Sequence, residues 1–222
     1  MRVVITGASG MIGQGVLREC LLDPDVTDVL TLGRTPTGQT HAKLREVVHG
    51  DFLDYSAVED RLTGYDACLF CLGVSSVGMN EADYQRITYE YTLAAARTLL
   101  RLNPDLTFVY VSGQGTDSTA SGRTMWARVK GRTENDLLAL TDRAYMFRPG
   151  YIQPMHGIQS RTRAYRIMYR VVVPLFPVLR RLFPSSVTTT ETLGRAMINV
   201  VRHGAPTHVL HSRDINAVGA AT

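Results

Sequence analysis

The stretch Arg2–Gly15, "RVVITGASGMIGQG", indicates how the chain begins to fold. Its β-branched part, "VVIT", predicts a short buried strand, and the residues after Gly10 have the apolar spacing of a helix. A glycine turn between a strand and a helix lets backbone N–H groups approach a pyrophosphate at the positive end of the helix. The stretch therefore predicts a dinucleotide-binding turn, with a purely structural tight turn as the alternative. The turn consists of Gly7, Ala8, Ser9, Gly10, Met11, Ile12 and Gly13.

Strand-like and helix-like segments alternate along the chain up to about residue 150. Further strands are predicted in "VTDVLTLG", "LREVVHGD", "DACLFCLG", "DLTFVYVSG" and "RAYMFRPG". Helices are predicted in "MIGQGVLRECLL", in "SAVEDRL", from about Asn80 to Leu102, and in "TMWARVKGRTENDLLAL". This order predicts an α/β fold with a doubly wound, Rossmann-type parallel sheet, whose ligands bind beyond the carboxyl ends of the strands.

The chain of 222 residues is expected to form a single domain, 1–222. Within it we distinguish a cofactor-binding core at about 1–150 from a small C-terminal substrate or partner lobe at about 151–222. In that lobe "SVTTTETLGRAMINVVRHG" predicts a helix with a threonine N-cap that ends at His203-Gly204. "THVLHS" predicts a last short strand.

The composition is that of an ordinary globular protein, with 45% hydrophobic and 20% charged residues. The net charge of +4 is spread along the chain without a basic run, which argues against a nucleic-acid partner. No signal peptide is visible, and the apolar run 171–179 is too short to span a bilayer. Three cysteines are consistent with a reducing, cytoplasmic location.

Cys68 and Cys71 form a C-x-x-C pattern inside an apolar strand. Residues three apart in a strand point to opposite faces, so we interpret both as small buried residues and predict no metal or redox site.

The end of the second strand bears on the choice of cofactor. An acidic residue there would bind the ribose hydroxyls of NAD, but this sequence has Arg34. A guanidinium can bind the 2′-phosphate of NADP(H), with Ser9 as a second contact. We therefore expect NADP(H) as the cofactor, with NAD(H) as the alternative. If Arg34 has no role in binding, it is a solvated surface arginine.

The ends of the third and fourth strands supply further candidates for binding the cofactor. Asp51 is predicted to accept from the adenine amino group, with Phe52 against the ring, or else to cap the following helix. At the end of the fourth strand the backbone is expected to pass near the cofactor, at Cys71, Leu72 and Gly73.

Several motifs together resemble the short-chain dehydrogenase/reductase superfamily. They are "TGASGMIG", "GDFLD", "CLG", "VYVSG", "VKGRTE" and "RPGYI", in this order and spacing. The resemblance is closest to the extended and atypical branches, which include NAD-dependent epimerase/dehydratase-like and Tat-interacting-protein-like proteins. It covers residues 1–152 well and the rest loosely, and it is specific for the superfamily but not for a reaction.

The resemblance implies roles for residues near the nicotinamide. Lys130 is similar to the lysine that holds the ribose hydroxyls and lowers a neighbouring pKa. Ser112 stands where relatives have a hydroxyl that contacts the substrate. Gln114 and Thr116 are alternative candidates for the same contact. The segment along the nicotinamide carboxamide corresponds to Arg148, Pro149 and Gly150.

The sequence departs from the superfamily at two positions of this centre. Trp126 stands where the proton-exchanging tyrosine is found, and Thr88 where many relatives have asparagine. An indole only donates and does not ionise in the range of a phenol. Tyr151 is a candidate to replace the missing phenol; the alternative is an aromatic residue packed beneath the lobe. His156 is a candidate acid or base; the alternative is a surface residue.

Two functions follow as hypotheses. One is an NADP(H)-binding atypical short-chain dehydrogenase acting on a small or lipophilic carbonyl or hydroxyl compound, as a monomer or homodimer. The other is a catalytically impaired, cofactor-binding regulator or assembly protein. Its contact surface would be 161–183, an apolar segment bracketed by arginines that also fits a substrate lid, a peripheral membrane contact or packing within a dimer.

Overall fold

The strand that begins at Arg2 is an inner strand of a seven-stranded parallel sheet. The computed structural model describes residues 1–159 and 185–221. Along the sheet the strands follow the order β3-β2-β1-β4-β5-β6-β9. Their bounds are β1 (Arg2–Thr6), β2 (Asp28–Gly33), β3 (Leu44–Val48), β4 (Ala67–Phe70), β5 (Thr107–Val111), β6 (Ala144–Arg148) and β9 (Val209–His211). The predicted doubly wound parallel sheet is confirmed.

Helices cover both faces of this sheet. Those in the described residues are α1 (Met11–Leu22), α2 (Glu81–Gln85), α3 (Tyr91–Leu102), α4 (Met125–Leu140), α5 (Thr190–His203) and α6 (Ser212–Ala220). The sheet is buried on both sides because β1 contributes to two separate cores: Val3 and Ile5 pack with residues of α1 and α5, and Val4 packs with residues of α3. A strand buried on both faces is continuously apolar, as "VVI" is.

Two predicted helices differ from those observed. The segment from Asn80 to Leu102 is not one α-helix, because a π-helical turn, Arg86–Glu90, joins α2 to α3 and contains the buried Thr88. In "SAVEDRL" the chain forms a 3₁₀-helix, Ser56–Arg61, with Val58 as its one buried residue. A single buried side chain gives too little apolar contact to sustain an amphipathic α-helix.

The C-terminal segment shares the packing of the main sheet. The side chain of Thr189 caps α5 by accepting from the Thr192 N–H at 2.9 Å, and Gly204 follows its end with φ +71°. β9 pairs with β6, so the capped helix and the last strand are both confirmed. The structure adds α6 and a separate parallel pair, β7 (Tyr151–Gln153) with β8 (Val187–Thr189), which the sequence did not indicate.

The segment 161–183, for which a lid or docking surface was predicted, lies outside the described residues. Within the described ranges no helix has the length and apolar character needed to cross a membrane.

Small residues bring α1 and α5 into close contact. A Cβ on Gly15 would lie 2.6 Å from the Cβ of Thr190, and a Cβ on Gly194 would lie 2.8 Å from the Cγ of Glu19. The buried Glu19 carboxylate then pairs with Arg195 on α5 at 3.2 Å. The helix α1, which continues from the glycine turn, is thereby anchored to α5.

We predict that Gly15→Ala destabilises the protein by about 1–2 kcal/mol. Overpacking against Thr190 costs more than the roughly 1 kcal/mol that alanine gains as a helix former. Urea unfolding measures the change. The matched control is Gly50→Ala, where an added Cβ has no atom within 4 Å. An unchanged midpoint in Gly15→Ala would contradict the close contact.

Candidate functional site

The glycine turn packs too closely for side chains at two of its positions. Gly7 has φ +70°, and a Cβ there would lie 2.6 Å from the backbone N of Leu72. A Cβ on Gly13 would lie 2.2 Å from the carbonyl oxygen of Gly7. No side chain caps α1 at Gly10, and its first turn holds no acidic residue. The turn therefore leaves the positive end of α1 open to an anion, as a pyrophosphate requires.

A cavity of about 320 Å³ lies beside this turn at the carboxyl end of β2. Six residues predicted from the sequence line it: Gly7, Ala8, Ser9, Arg34, Phe52 and Leu72. None of its lining residues carries a carboxylate. The others are Thr31, Leu32, Gly33, Thr35 and Thr37.

The three threonines of this cavity were missed from the sequence. Thr35 and Thr37 follow Arg34 in "GRTPT", and this run of hydroxyl residues directly after the strand was the signal available. The cavity thus combines an exposed guanidinium with the hydroxyl groups of Ser9 and Thr35, which suits a phosphate. The hydroxyls of Thr31 and Thr37 face Glu46 on β3.

Asp51 and Phe52 are placed differently from one another. The exposed Asp51 carboxylate accepts from the Leu53 N–H at 2.9 Å and so stabilises a local turn; it is not among the residues that line the cavity. Phe52 is buried, and its ring centroid lies 5.6 Å from that of Tyr91. Phe52 therefore presents a fixed apolar wall to the cavity.

The segment after β4 passes against the glycine turn. The Cys71 N–H donates to the carbonyl of Thr6 at 3.1 Å, and Leu72 lies beside Gly7. Gly73 has open space where a Cβ would stand. Cys68 and Cys71 pack in the two different cores, so their predicted opposite orientation is confirmed. Burial raises the pKa of the Cys71 thiol to about 12, which keeps it protonated at neutral pH.

Lys130 lies on α4 with its ammonium under the end of β5. Its Nζ donates to the carbonyl oxygen of Ser112 at 2.7 Å and lies 5.6 Å from the ring centroid of Tyr110. Burial lowers the pKa of Lys130 to about 8, and the nearby Glu134 carboxylate acts in the opposite direction. The lysine expected from the resemblance is therefore beside the strand end that was expected to supply the substrate-contacting hydroxyl.

Glu134 is the residue of this centre that was missed from the sequence. It is 1% exposed and accepts from the Ser112 hydroxyl at 2.5 Å and from Arg148 Nε at 3.0 Å. A second guanidinium nitrogen of Arg148 also pairs with it, and that nitrogen donates to the Ser118 hydroxyl at 2.6 Å. The sequence feature that could have identified Glu134 is its position four residues after Lys130, which places both side chains on the same face of the helix. The side chains of Ser112 and Arg148 are thus both directed at this buried carboxylate.

Trp126 lies near the start of α4, under the loop that follows β5. A Cβ on Gly115 would lie 3.3 Å from the indole Cη2, so the half-buried ring packs against this glycine. The indole N–H donates to no residue in the described part of the chain. Across the same loop a Cβ on Gly131 would lie 1.7 Å from the carbonyl oxygen of Asp117, so glycine is required for the loop to contact α4.

The remaining predicted residues have defined hydrogen-bond partners. The Pro149 carbonyl accepts from the Gln114 N–H at 2.9 Å, and the Gly150 N–H donates to the Ser212 hydroxyl at 2.8 Å. The Tyr151 phenol donates to Gln153 Oε1 at 2.8 Å, and burial raises its pKa.

His156 is held by a residue of α5. Its Nε2 lies 2.7 Å from Glu191 Oε2, and the hydrogen bond from His156 is the main cause that lowers the pKa of that carboxyl. His156 therefore bonds to α5 and not to Lys130 or Ser112.

Comparisons with known proteins show which family and which fold this chain is similar to. The sequence model described as "NAD dependent epimerase/dehydratase family" matches residues 3–136. Protein FMP52-2, mitochondrial, from Scheffersomyces stipitis is 25% identical over 209 residues, covering 91% of this chain and 87% of that protein. Botcinic acid biosynthesis cluster B protein 16 from Botryotinia fuckeliana is 29% identical over 143 residues, covering 59% and 90%.

Solved structures with the same fold include a short chain dehydrogenase/reductase and an enzyme with bound NAD+. A short chain dehydrogenase/reductase family oxidoreductase from Burkholderia thailandensis has a TM-score of 0.68 at 18% identity, covering 100% of this chain and 93% of that one. The Bordetella bronchiseptica enzyme WbmF in complex with NAD+ has a TM-score of 0.67 at 16% identity, covering 97% and 76%.

We predict that Glu134→Gln lowers the free energy of unfolding by about 3 kcal/mol, because it leaves the buried Arg148 cation without a counter-charge. The matched control is Glu81→Gln, which breaks the more exposed pair with Arg128 at 2.7 Å and should cost at most about 1 kcal/mol. Urea unfolding of both variants measures the difference. Equal losses would contradict a special role for the buried pair.

Proposed function

The chain belongs to the NAD dependent epimerase/dehydratase family and is an atypical short-chain dehydrogenase/reductase, and from that premise we propose that it is an NADP(H)-dependent oxidoreductase. Its cofactor is a nicotinamide dinucleotide, as the family's description states. We propose a small or lipophilic carbonyl or hydroxyl compound as substrate. The cavity at the end of β2 carries the NADP(H) proposal, since it contains Arg34 and hydroxyl groups and no carboxylate.

Each part of the cofactor has candidate residues. The glycine turn from Gly7 to Gly13 would hold the pyrophosphate, because its two tightest positions have no room for a Cβ and α1 has no capping side chain. Arg34 with Ser9 would bind the 2′-phosphate, and Phe52 would contact the adenine. Lys130 would bind the nicotinamide ribose, with the 148–150 segment beside the carboxamide. When bound, the cofactor donates or accepts a hydride.

The chain's own residues determine how a proton is handled at this centre. Lys130 has a pKa of about 8, so it is largely charged at neutral pH and able to donate hydrogen bonds. Ser112 donates its hydroxyl proton to Glu134, which leaves the serine oxygen as an acceptor toward a substrate hydroxyl. Trp126 orients or stacks on the substrate but does not exchange a proton. We therefore propose that the proton comes from water, at reduced rate, unless Tyr151 turns toward the centre.

A second function, cofactor binding without turnover, is favoured by one specific observation. The polar groups of the catalytic centre satisfy one another: Lys130 donates to the Ser112 carbonyl, and Ser112 donates to Glu134. Glu134 in turn holds Arg148. In that case the cofactor would order the fold, and 161–183 would be the contact surface for a protein partner or a membrane.

We predict that Arg34→Ser weakens NADPH binding by about 10- to 100-fold, because a charge-assisted hydrogen bond to phosphate is lost. NADH binding should change by less than about twofold, since that cofactor has no 2′-phosphate. Nicotinamide fluorescence measures both affinities. Arg97→Ser is the control, an exposed arginine of α3 that does not line the cavity. A wild-type protein that binds NADH more tightly than NADPH would contradict the proposal.

We predict that Trp126→Tyr raises the turnover of carbonyl compounds by about 100-fold or more, because a phenol four residues before Lys130 supplies a general acid. Oxidation of NADPH with a panel of aldehydes and ketones measures turnover at the nicotinamide absorbance. Trp126→Phe is the matched control, which removes the indole without adding a hydroxyl.

The same panel separates the two functions. Turnover found only in Trp126→Tyr would mean that the natural protein binds the cofactor without catalysis. Natural turnover that Lys130→Ala leaves unchanged would contradict the proposed catalytic centre.

A further inference from the structure

The loop that carries Arg34, residues 34–40, continues from Gly33 at the paired end of β2 and has one further connection to the sheet. Among the described residues, the hydrogen bonds that join 34–40 to the rest of the protein all end on Glu46 of β3. The Thr37 N–H donates to Glu46 Oε1 at 2.7 Å and the Thr37 hydroxyl donates to the same oxygen at 2.5 Å. The neighbouring Thr31 hydroxyl lies 3.4 Å from it. A single carboxylate therefore holds the loop against β2 and β3.

This connection lies directly behind the 2′-phosphate cavity. Thr37 lines the cavity together with Arg34 and Thr35, and Thr31 of β2 lines it as well. Arg34 and Thr35 are exposed, and neither makes a hydrogen bond or ion pair with a described residue that would fix it from another side. The position of both groups over the cavity therefore depends on Gly33, which precedes them and is held in the sheet, and on Thr37, which follows them and is held by Glu46.

The charge of Glu46 is stabilised by the same contacts. The Thr37 hydroxyl is the main cause that lowers the pKa of Glu46, followed in that direction by the Thr37 N–H and the Thr31 hydroxyl. An ionised carboxylate accepts several hydrogen bonds and makes stronger ones than a neutral acceptor. The carboxylate of Glu46 is thereby directed at Thr37 of the loop and Thr31 of β2, and Glu46 is not among the residues that line the cavity.

We propose that Glu46 is a positioning residue for cofactor selection, acting through Thr37 on the Arg34–Thr35 pair. This inference rests on the proposed use of NADP(H). Glu46 touches no part of the cofactor; it fixes the loop so that Arg34 meets a 2′-phosphate without first ordering seven residues. Without this pre-ordering, the loop loses more conformational entropy when the cofactor binds. Only the affinity for the cofactor that contacts the loop then falls.

The test compares the affinities of NADPH and NADH in Glu46→Ala, with Glu46→Gln as the conservative variant. We expect Glu46→Ala to weaken NADPH binding by about tenfold and NADH binding by less than about twofold. Glu46→Gln keeps the amide oxygen as an acceptor and should recover most of the loss. A purely structural role would weaken both cofactors equally, and that result would overturn the proposal.

A double-mutant cycle with Arg34→Ser decides whether Glu46 acts through the loop. If it does, Glu46→Ala has no further effect on NADPH affinity once Arg34 is replaced, because interacting positions are not additive. Additive losses would overturn the proposal.

The two proposals can fail separately. If Arg34→Ser weakens NADPH binding and Glu46→Ala leaves both affinities unchanged, the positioning role fails and the NADP(H) proposal stands. If the natural protein does not prefer NADPH, the NADP(H) proposal fails first.

Discussion

The buried carboxylate of Glu134 holds together the end of the sheet for which we propose catalysis. It joins three elements, because α4 carries it, Ser112 directly follows β5 and β6 ends at Arg148. Through Arg148 it also reaches Ser118 in the loop after β5. A charge this deeply buried is tolerated only when it is paired and hydrogen-bonded, so these partners must be in place together. The positions of the strand ends, the loop and Lys130 follow from that requirement.

The two ends of the proposed cofactor groove differ in how their polar groups are used. At the adenosine end, Arg34 is exposed and the start of α1 has no capping side chain, so donors remain available to an anion. At the nicotinamide end, Ser112, Arg148 and Glu134 bond to one another. This contrast favours cofactor binding over turnover in a chain that has Trp126 where relatives have a phenol.

Much of the fold followed from local pattern. The order of strands and helices, the glycine turn and the threonine cap of α5 depend on residues close in sequence, and all are present. The π-helical turn at Arg86–Glu90 and the β7–β8 pair were not predicted, since each is stabilised by packing between distant segments. The network around Glu134 was missed for the same reason: its partners lie 14 and 22 residues away and meet only across the sheet.

The sequence by itself determined that this chain forms a doubly wound sheet with a glycine turn between its first strand and first helix, because glycine spacing and β-branched runs act through local sterics. It also determined that a lysine, but no tyrosine, stands at the start of α4. Only the tertiary structure decided which side chains are available. It directed Ser112 and Arg148 inward to a buried charge and placed Glu46 behind the Arg34 loop. Such choices arise from desolvation and hydrogen bonding between strands, which no short stretch of sequence records.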